Sequence, residues 1–185
     1  MVRRKSSISF LDREYRIRLE KPGFSMPLFR ILLVEDFAPF RQFVSSIFDE
    51  RSDFQVIGEV TDGLEAVQKA KELNPDLIVL DIGLPTLNGI EAARRIRKLA
   101  PESKILFVSQ ESSPDVVREA LSVGAMGYVI KAHAGSELLA AVEAVCQGRQ
   151  FVGSGLPGSH RSPFIVRPGQ RGDPLTPAFD SNSGD

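Results

Sequence analysis

Between residues 29 and 148 the chain repeats one pattern five times: an apolar run of strand type, a short polar break, then a stretch with helical spacing. The strand-like runs are FRILLVE (29–35), FQVIGEV (54–60), DLIVLD (76–81), KILFVS (104–109) and GYVIK (127–131). After them come PFRQFVSSIFDE, GLEAVQKAKEL, NGIEAARRIRKLA, PDVVREALSVG and GSELLAAVEAVCQG, whose apolar residues recur at helical intervals. Strands alternating with helices build an α/β domain around a parallel sheet. The strand runs are apolar throughout, as expected when helices cover both faces of that sheet. The sequence therefore predicts a (βα)5 doubly wound parallel sheet. Helix boundaries carry their own signals: Asp62 before GLEAV, Asn88 before GIEAA, Ser113 with Pro114 at the fourth start, and Gly124 at its end.

The flanks differ in composition. Residues 1–28 form a basic, irregular N-terminal extension, and Met26 before Pro27 is a candidate start of translation. Residues 151–185 are rich in glycine, proline and serine, as in GSGLPGSHRSP, and are expected to form a disordered tail because they bury too little apolar surface to offset ordering. The expected domain is thus 29–150. Its 185-residue chain, 42% hydrophobic and 25% charged, is long enough for one good core with extensions. With 23 lysines and arginines against 24 acids, no global basic field attracts nucleic acid or anionic lipid. Cys146 is the sole cysteine, which excludes an internal disulfide and a multi-cysteine metal site and leaves it as a small apolar filler. No apolar run approaches the roughly 20 residues of a membrane span, and the N-terminus lacks the apolar core of a secretory signal. A cytoplasmic protein is expected.

Chemistry concentrates at the strand ends. The first strand ends in Glu35-Asp36, the third in Asp81, the fourth in Ser109 and the fifth in Lys131. In open α/β sheets, ligands bind at the carboxyl ends of the strands, where the strand order reverses. If these four strands are neighbours, three carboxylates, a hydroxyl and an ammonium share one pocket. Such carboxylates repel one another and their pKa values rise unless a cation is present. Mg²⁺, a hard ion that takes one or two carboxylates and keeps several waters, meets that need. In this reading Asp81 is a nucleophile that accepts a phosphoryl group. Glu35 and Asp36 hold Mg²⁺, while Lys131 and Ser109 bind phosphoryl oxygens. Taken singly each residue has a plainer reading, as a helix cap or a solvated charge; their joint placement gives the site its weight.

These residues resemble the receiver domain of bacterial two-component response regulators. The match rests on the acidic pair of ILLVED, the aspartate of LIVLDIGLP, Pro85 and Gly89 of LPTLNGIEA, the hydroxyl of ILFVS and the lysine of GYVIKA. The resemblance implies a flavodoxin-like, CheY-like fold with strand order 2-1-3-4-5. It implies Mg²⁺ on Glu35, Asp36, Asp81 and the backbone carbonyl of Gly83, and phosphorylation of Asp81. It makes Ser109 the switch hydroxyl, Lys131 the phosphoryl-holding lysine and Tyr128 the switch aromatic. The expected function is a phospho-acceptor switch rather than an enzyme, with a sensor histidine kinase as donor and a downstream protein as target. A homodimer through the face of the fourth helix, fifth strand and fifth helix is a further expectation.

Two features depart from the family pattern. KAHAGSELLAAVEAV resembles the subgroup whose receiver precedes a helix-turn-helix DNA-binding domain, yet no such domain is expected after Phe151, which argues against DNA binding. Gln110 stands beside the hydroxyl where the family has a small residue, and a bulkier side chain there would narrow access to the phosphoryl group. Three rival readings fit the residues less well. A haloacid-dehalogenase-type phosphatase wants an acid two residues past its nucleophile, where Gly83 stands. A flavodoxin-like FMN carrier wants a phosphate loop where this chain has the acidic EDFAPFRQ. The complete acidic set argues against a phosphorylation-independent interaction or scaffold module, whereas the output domain not expected after Phe151 favours that alternative, or a remnant of a DNA-binding response regulator. His133 and His160 have no metal-ligand company in the sequence.

Overall fold

A computed structural model of the chain describes residues 28–156 and the backbone of 164–166. The extension expected over 1–28 lies almost wholly outside the described residues, as does most of the tail expected over 151–185, including His160. The elements are β1 (Phe29–Val34), α1 (Ala38–Asp49), β2 (Phe54–Val60), α2 (Gly63–Leu73), β3 (Leu77–Leu80), α3 (Gly89–Leu99), β4 (Lys104–Ser109), α4 (Pro114–Ser122), β5 (Gly127–Ile130), α5 (Ala134–Cys146), β6 (Gln150–Val152) and β7 (Phe164–Val166). A single 3-10 turn, Lys131–His133, joins β5 to α5. No described helix is long and apolar enough to cross a membrane.

The strands form one sheet in the order β2-β1-β3-β4-β5-β6-β7. Pairings from β1 to β6 are parallel, and β7 runs antiparallel to β6. The predicted order 2-1-3-4-5 is therefore observed. Successive residues of each strand feed opposite cores, because side chains alternate across a sheet. Leu32, Ile78, Ile105 and Tyr128 pack with α2, α3 and α4 on one face. Ile31, Leu77, Leu106 and Val129 pack with α1 and α5 on the other. This two-sided burial explains the unbroken apolar strands.

Two helix starts are capped as the sequence predicts. The Asp62 carboxylate accepts from the Leu64 and Glu65 amides at 2.7 and 3.2 Å, and the Asn88 side chain accepts from the Glu91 amide at 2.9 Å. Both satisfy amides that the first helical turn leaves without partners. Ser113 makes no side-chain cap bond; α4 instead begins on Pro114 at its first position. At Gly89 the start of α3 comes so close to the Asp81 backbone carbonyl that a Cβ would clash with it. That contact sets the height of the loop behind Asp81.

The domain boundary expected at 150 falls inside β6. Phe151, Val152 and Leu156 are buried, so the packed unit continues at least that far. A three-residue strand set among glycines and serines is too short to register as a periodic run. Phe151→Ala is expected to lower unfolding free energy by about 3–5 kcal/mol, the range for emptying a buried aromatic site. Urea unfolding checks this, and an unchanged midpoint would place β6 outside the cooperative unit.

Candidate functional site

The strand order β1-β3-β4-β5 sets four loops side by side at the carboxyl edge of the sheet. Glu35 follows β1 and is buried, Asp81 follows β3 and is buried, Ser109 closes β4 and is buried, and Lys131 opens the turn after β5. The Lys131 ammonium lies between the first two. Its Nζ is 2.8 Å from a Glu35 carboxylate oxygen and 2.8 Å from Asp81 Oδ2. It also sits 4.9 Å from the centre of the Phe40 ring on α1, a cation–π distance.

Each carboxylate has a backbone partner as well. Glu35 Oε1 accepts from the Phe37 amide at 3.1 Å, and Asp81 Oδ1 accepts from the Ile82 amide at 2.7 Å. Burial pushes Glu35 above the ordinary carboxylate range; the Lys131 hydrogen bond opposes that shift and the Asp81 charge adds to it. For Lys131, burial favours the neutral form, but the bonds to Asp81 and Glu35 outweigh it and raise its pKa. Carboxylate oxygens of Glu35, Asp36 and Asp81 all lie within 4.8 Å of one another, with Asp36 exposed to solvent. Gly83 abuts the cluster, since a Cβ there would stand 3.7 Å from Asp81 Oδ2.

Three carboxylates against one ammonium leave surplus negative charge at the mouth of the site. The donor set is all oxygen, one of its members is open to water, and no soft ligand joins it among the described residues. These features fit a hard divalent ion that keeps part of its hydration, such as Mg²⁺.

Behind this cluster lies a second layer. The Ser109 Oγ accepts from the Glu111 amide at 3.3 Å, and the Tyr128 hydroxyl donates to the Glu111 carbonyl at 2.7 Å. Glu111 is thus held from both sides by the two candidate switch residues. The Tyr128 ring is fully buried and tilts against Phe107, centroids 6.3 Å apart. Burial pushes its phenol up to about 12, with the Ser109 hydroxyl opposing. Gln110, beside Ser109, is solvent-exposed. Two residues of this site escape sequence reasoning: Phe40, whose spacing reads only as helix core, and Glu111, which acts through its backbone.

Comparison with known proteins places the chain. Residues 31–143 match the response regulator receiver domain, and the chain belongs to that family, whose members are the signalling switches of two-component systems. The chemotaxis protein CheY of Thermotoga maritima is 37% identical over 116 residues, 63% of this chain and 96% of that protein. A protein-glutamate methylesterase/protein-glutamine glutaminase of the same organism is 44% identical over 106 residues, 56% of this chain and only 30% of that protein. The crystal structure of a LuxR-family two-component response regulator from Aurantimonas sp. is 34% identical, with a TM-score of 0.65 over 69% of this chain and 90% of that one. The chain spans about half, or less, of the length of several curated relatives that it matches.

Two measurements check the electrostatics. Mg²⁺ is expected to raise thermal stability by mass action, about 2.7 kcal/mol at a hundredfold excess over its dissociation constant. Asp36→Asn should blunt that rise, and equal rises in both proteins would remove Asp36 from the metal set. Between pH 10 and about 12 the unfolded phenol of Tyr128 ionises while the folded one keeps its proton, so the wild type loses stability as pH rises there. Tyr128→Phe should show a shallower alkaline loss in denaturant titrations, and an identical slope would contradict the burial account.

Proposed function

We propose that a sensor histidine kinase transfers a phosphoryl group to Asp81 in a Mg²⁺-dependent reaction, and that the adduct shifts the protein toward a second arrangement that controls a downstream protein. The observation that carries this reading is the placement of one ammonium at 2.8 Å from both Glu35 and Asp81, at a sheet edge with surplus negative charge. A purely structural ion pair needs no third carboxylate beside it.

In the transfer, an Asp81 carboxylate oxygen forms a bond to phosphorus as the phosphorus–nitrogen bond of the donor phosphohistidine breaks. The electron pair stays on the imidazole, which takes up a proton. With acetyl phosphate as donor, a phosphorus–oxygen bond breaks and acetate leaves. Divalent cation held by Glu35, Asp36, Asp81 and the Gly83 carbonyl would neutralise charge on the phosphoryl oxygens. Lys131 supplies a fixed positive charge where negative charge accumulates, which is the main requirement of phosphoryl transfer.

The conformational step runs through Glu111. Ser109 now accepts a long bond from the Glu111 amide, and that weak contact is readily exchanged for donation to a phosphoryl oxygen. Moving Ser109 releases one side of Glu111, and Tyr128 holds the other. The phosphoryl group therefore favours one member of a pre-existing pair of loop states.

Intact-mass measurement after incubation with acetyl phosphate and Mg²⁺ tests the reading. A single phosphoryl adduct is expected, absent from Asp81→Asn and from an EDTA control. Lys131→Met, which keeps the apolar stem and loses the charge, should slow adduct formation about 10²-fold, the cost of one preorganised donor. A folded wild-type protein that takes up no phosphoryl group would favour a phosphorylation-independent interaction module.

A further inference from the structure

The segment after α5 turns back and closes the outer edge of β5. The Phe151 amide donates to the Met126 carbonyl at 3.0 Å, and the Gly153 amide donates to the Tyr128 carbonyl at 2.8 Å. The next residue, Ser154, is fastened to the start of α5. Its amide donates to both oxygens of Glu137 at 3.1 and 3.2 Å, and its hydroxyl donates to the same carboxylate. The Ser154 carbonyl lies 3.0 Å from His133 Nδ1, so that nitrogen carries the proton and donates.

Glu137 is a buried carboxylate, and among the described residues the partners of its side chain are the two Ser154 groups. A buried charge without a cation is costly unless hydrogen bonds compensate it. The carboxylate is thus satisfied only while residues 153–155 lie in place. Gly155 takes a positive φ of 83°, and a Cβ there would meet the His133 ring at 2.5 Å, so the segment lies flush against the turn.

The same segment touches the candidate switch at two points. Tyr128, whose hydroxyl holds Glu111, gives its carbonyl to Gly153, and its ring shares a core with Val152 and Leu156. Lys131 begins the 3-10 turn that ends at His133. Both ends of the acceptor machinery therefore bear on one short strap.

We propose that Gln150–Leu156 is a latch over the β5 edge, locked by Glu137 and His133, that opens when Asp81 is phosphorylated. This rests on the acceptor reading above. Movement of Tyr128 and of the Lys131–His133 turn toward a phosphoryl group pulls against the Gly153 and Ser154 bonds, and release of β6, carrying the β7 strand paired to it, uncovers the hydrogen-bonding edge of β5 together with Glu137. An uncovered strand edge is a ready site for another strand. The latch therefore couples the state of Asp81 to access at that edge.

Hydrogen exchange of the full chain, followed on the peptide spanning 150–156 with adduct occupancy read by intact mass, tests the coupling. Phosphorylated protein should exchange the Phe151 and Gly153 amides about tenfold faster than unmodified protein, with β3 amides unchanged, as local opening predicts. Glu137→Gln, which weakens the lock without removing bulk, should speed the same amides with no phosphoryl group present. Adduct with unchanged protection overturns the coupling alone, whereas no adduct overturns the acceptor reading and the coupling with it. Unchanged exchange in Glu137→Gln overturns the lock.

Discussion

The Lys131 ammonium, shared between Glu35 and Asp81, is the contact on which the rest of the site depends. Its partners lie 96 and 50 residues away in sequence. They meet only because β1 and β3 are neighbours and because Lys131 leaves β5 over the end of β4. Two buried carboxylates cannot sit together unpaired, and taking the cation away from a buried ion pair costs about 3–5 kcal/mol in typical proteins. The ammonium therefore holds the two carboxylates together at the sheet edge and sets one fixed positive charge between them.

That arrangement is stable without being saturated. Asp36 adds a third carboxylate on the solvent side, so the edge still favours cations. The proposed phosphoryl group and divalent ion would bring opposite charges to the same few ångströms, and the pocket offers an ammonium with a hydroxyl to the first and carboxylate oxygens to the second. Behind it, Ser109 and Tyr128 grip the same residue, Glu111, from its amide and its carbonyl. A change at the strand tip thus has a short path to the β4–α4 loop, and through the Tyr128 carbonyl to the strand beyond β5. Coupling of this kind needs contacts with two arrangements, and the long Ser109 bond is the one most easily exchanged.

Much of the fold is legible in the sequence because its information is local. The apolar strands, the helical spacing and Asp62 and Asn88 as caps are each written in a few adjacent residues. The site is legible for a different reason: Glu35, Asp36, Asp81, Ser109 and Lys131 all stand at strand ends, and a parallel sheet has one carboxyl edge. What escapes is what depends on tertiary neighbours. Ser113 reads as a cap but makes no cap bond, since Pro114 already starts the helix. β6 is hidden by its glycine-rich surroundings, although Phe151 and Val152 fill the two cores. Phe40 reads as core until Lys131 is seen beside its ring.

In the proposed switch, charge placed on Asp81 moves Ser109, Glu111 and Tyr128 as a linked set. Backbone amide NMR of the chain before and after phosphorylation, with Asp81→Asn as control, addresses it directly. The account predicts shifts at Ser109, Glu111, Tyr128 and Lys131 that grow with adduct occupancy and are absent from the variant. Shifts confined to residues 81–83 at full occupancy would contradict it, leaving a protein that carries the phosphoryl group without answering to it.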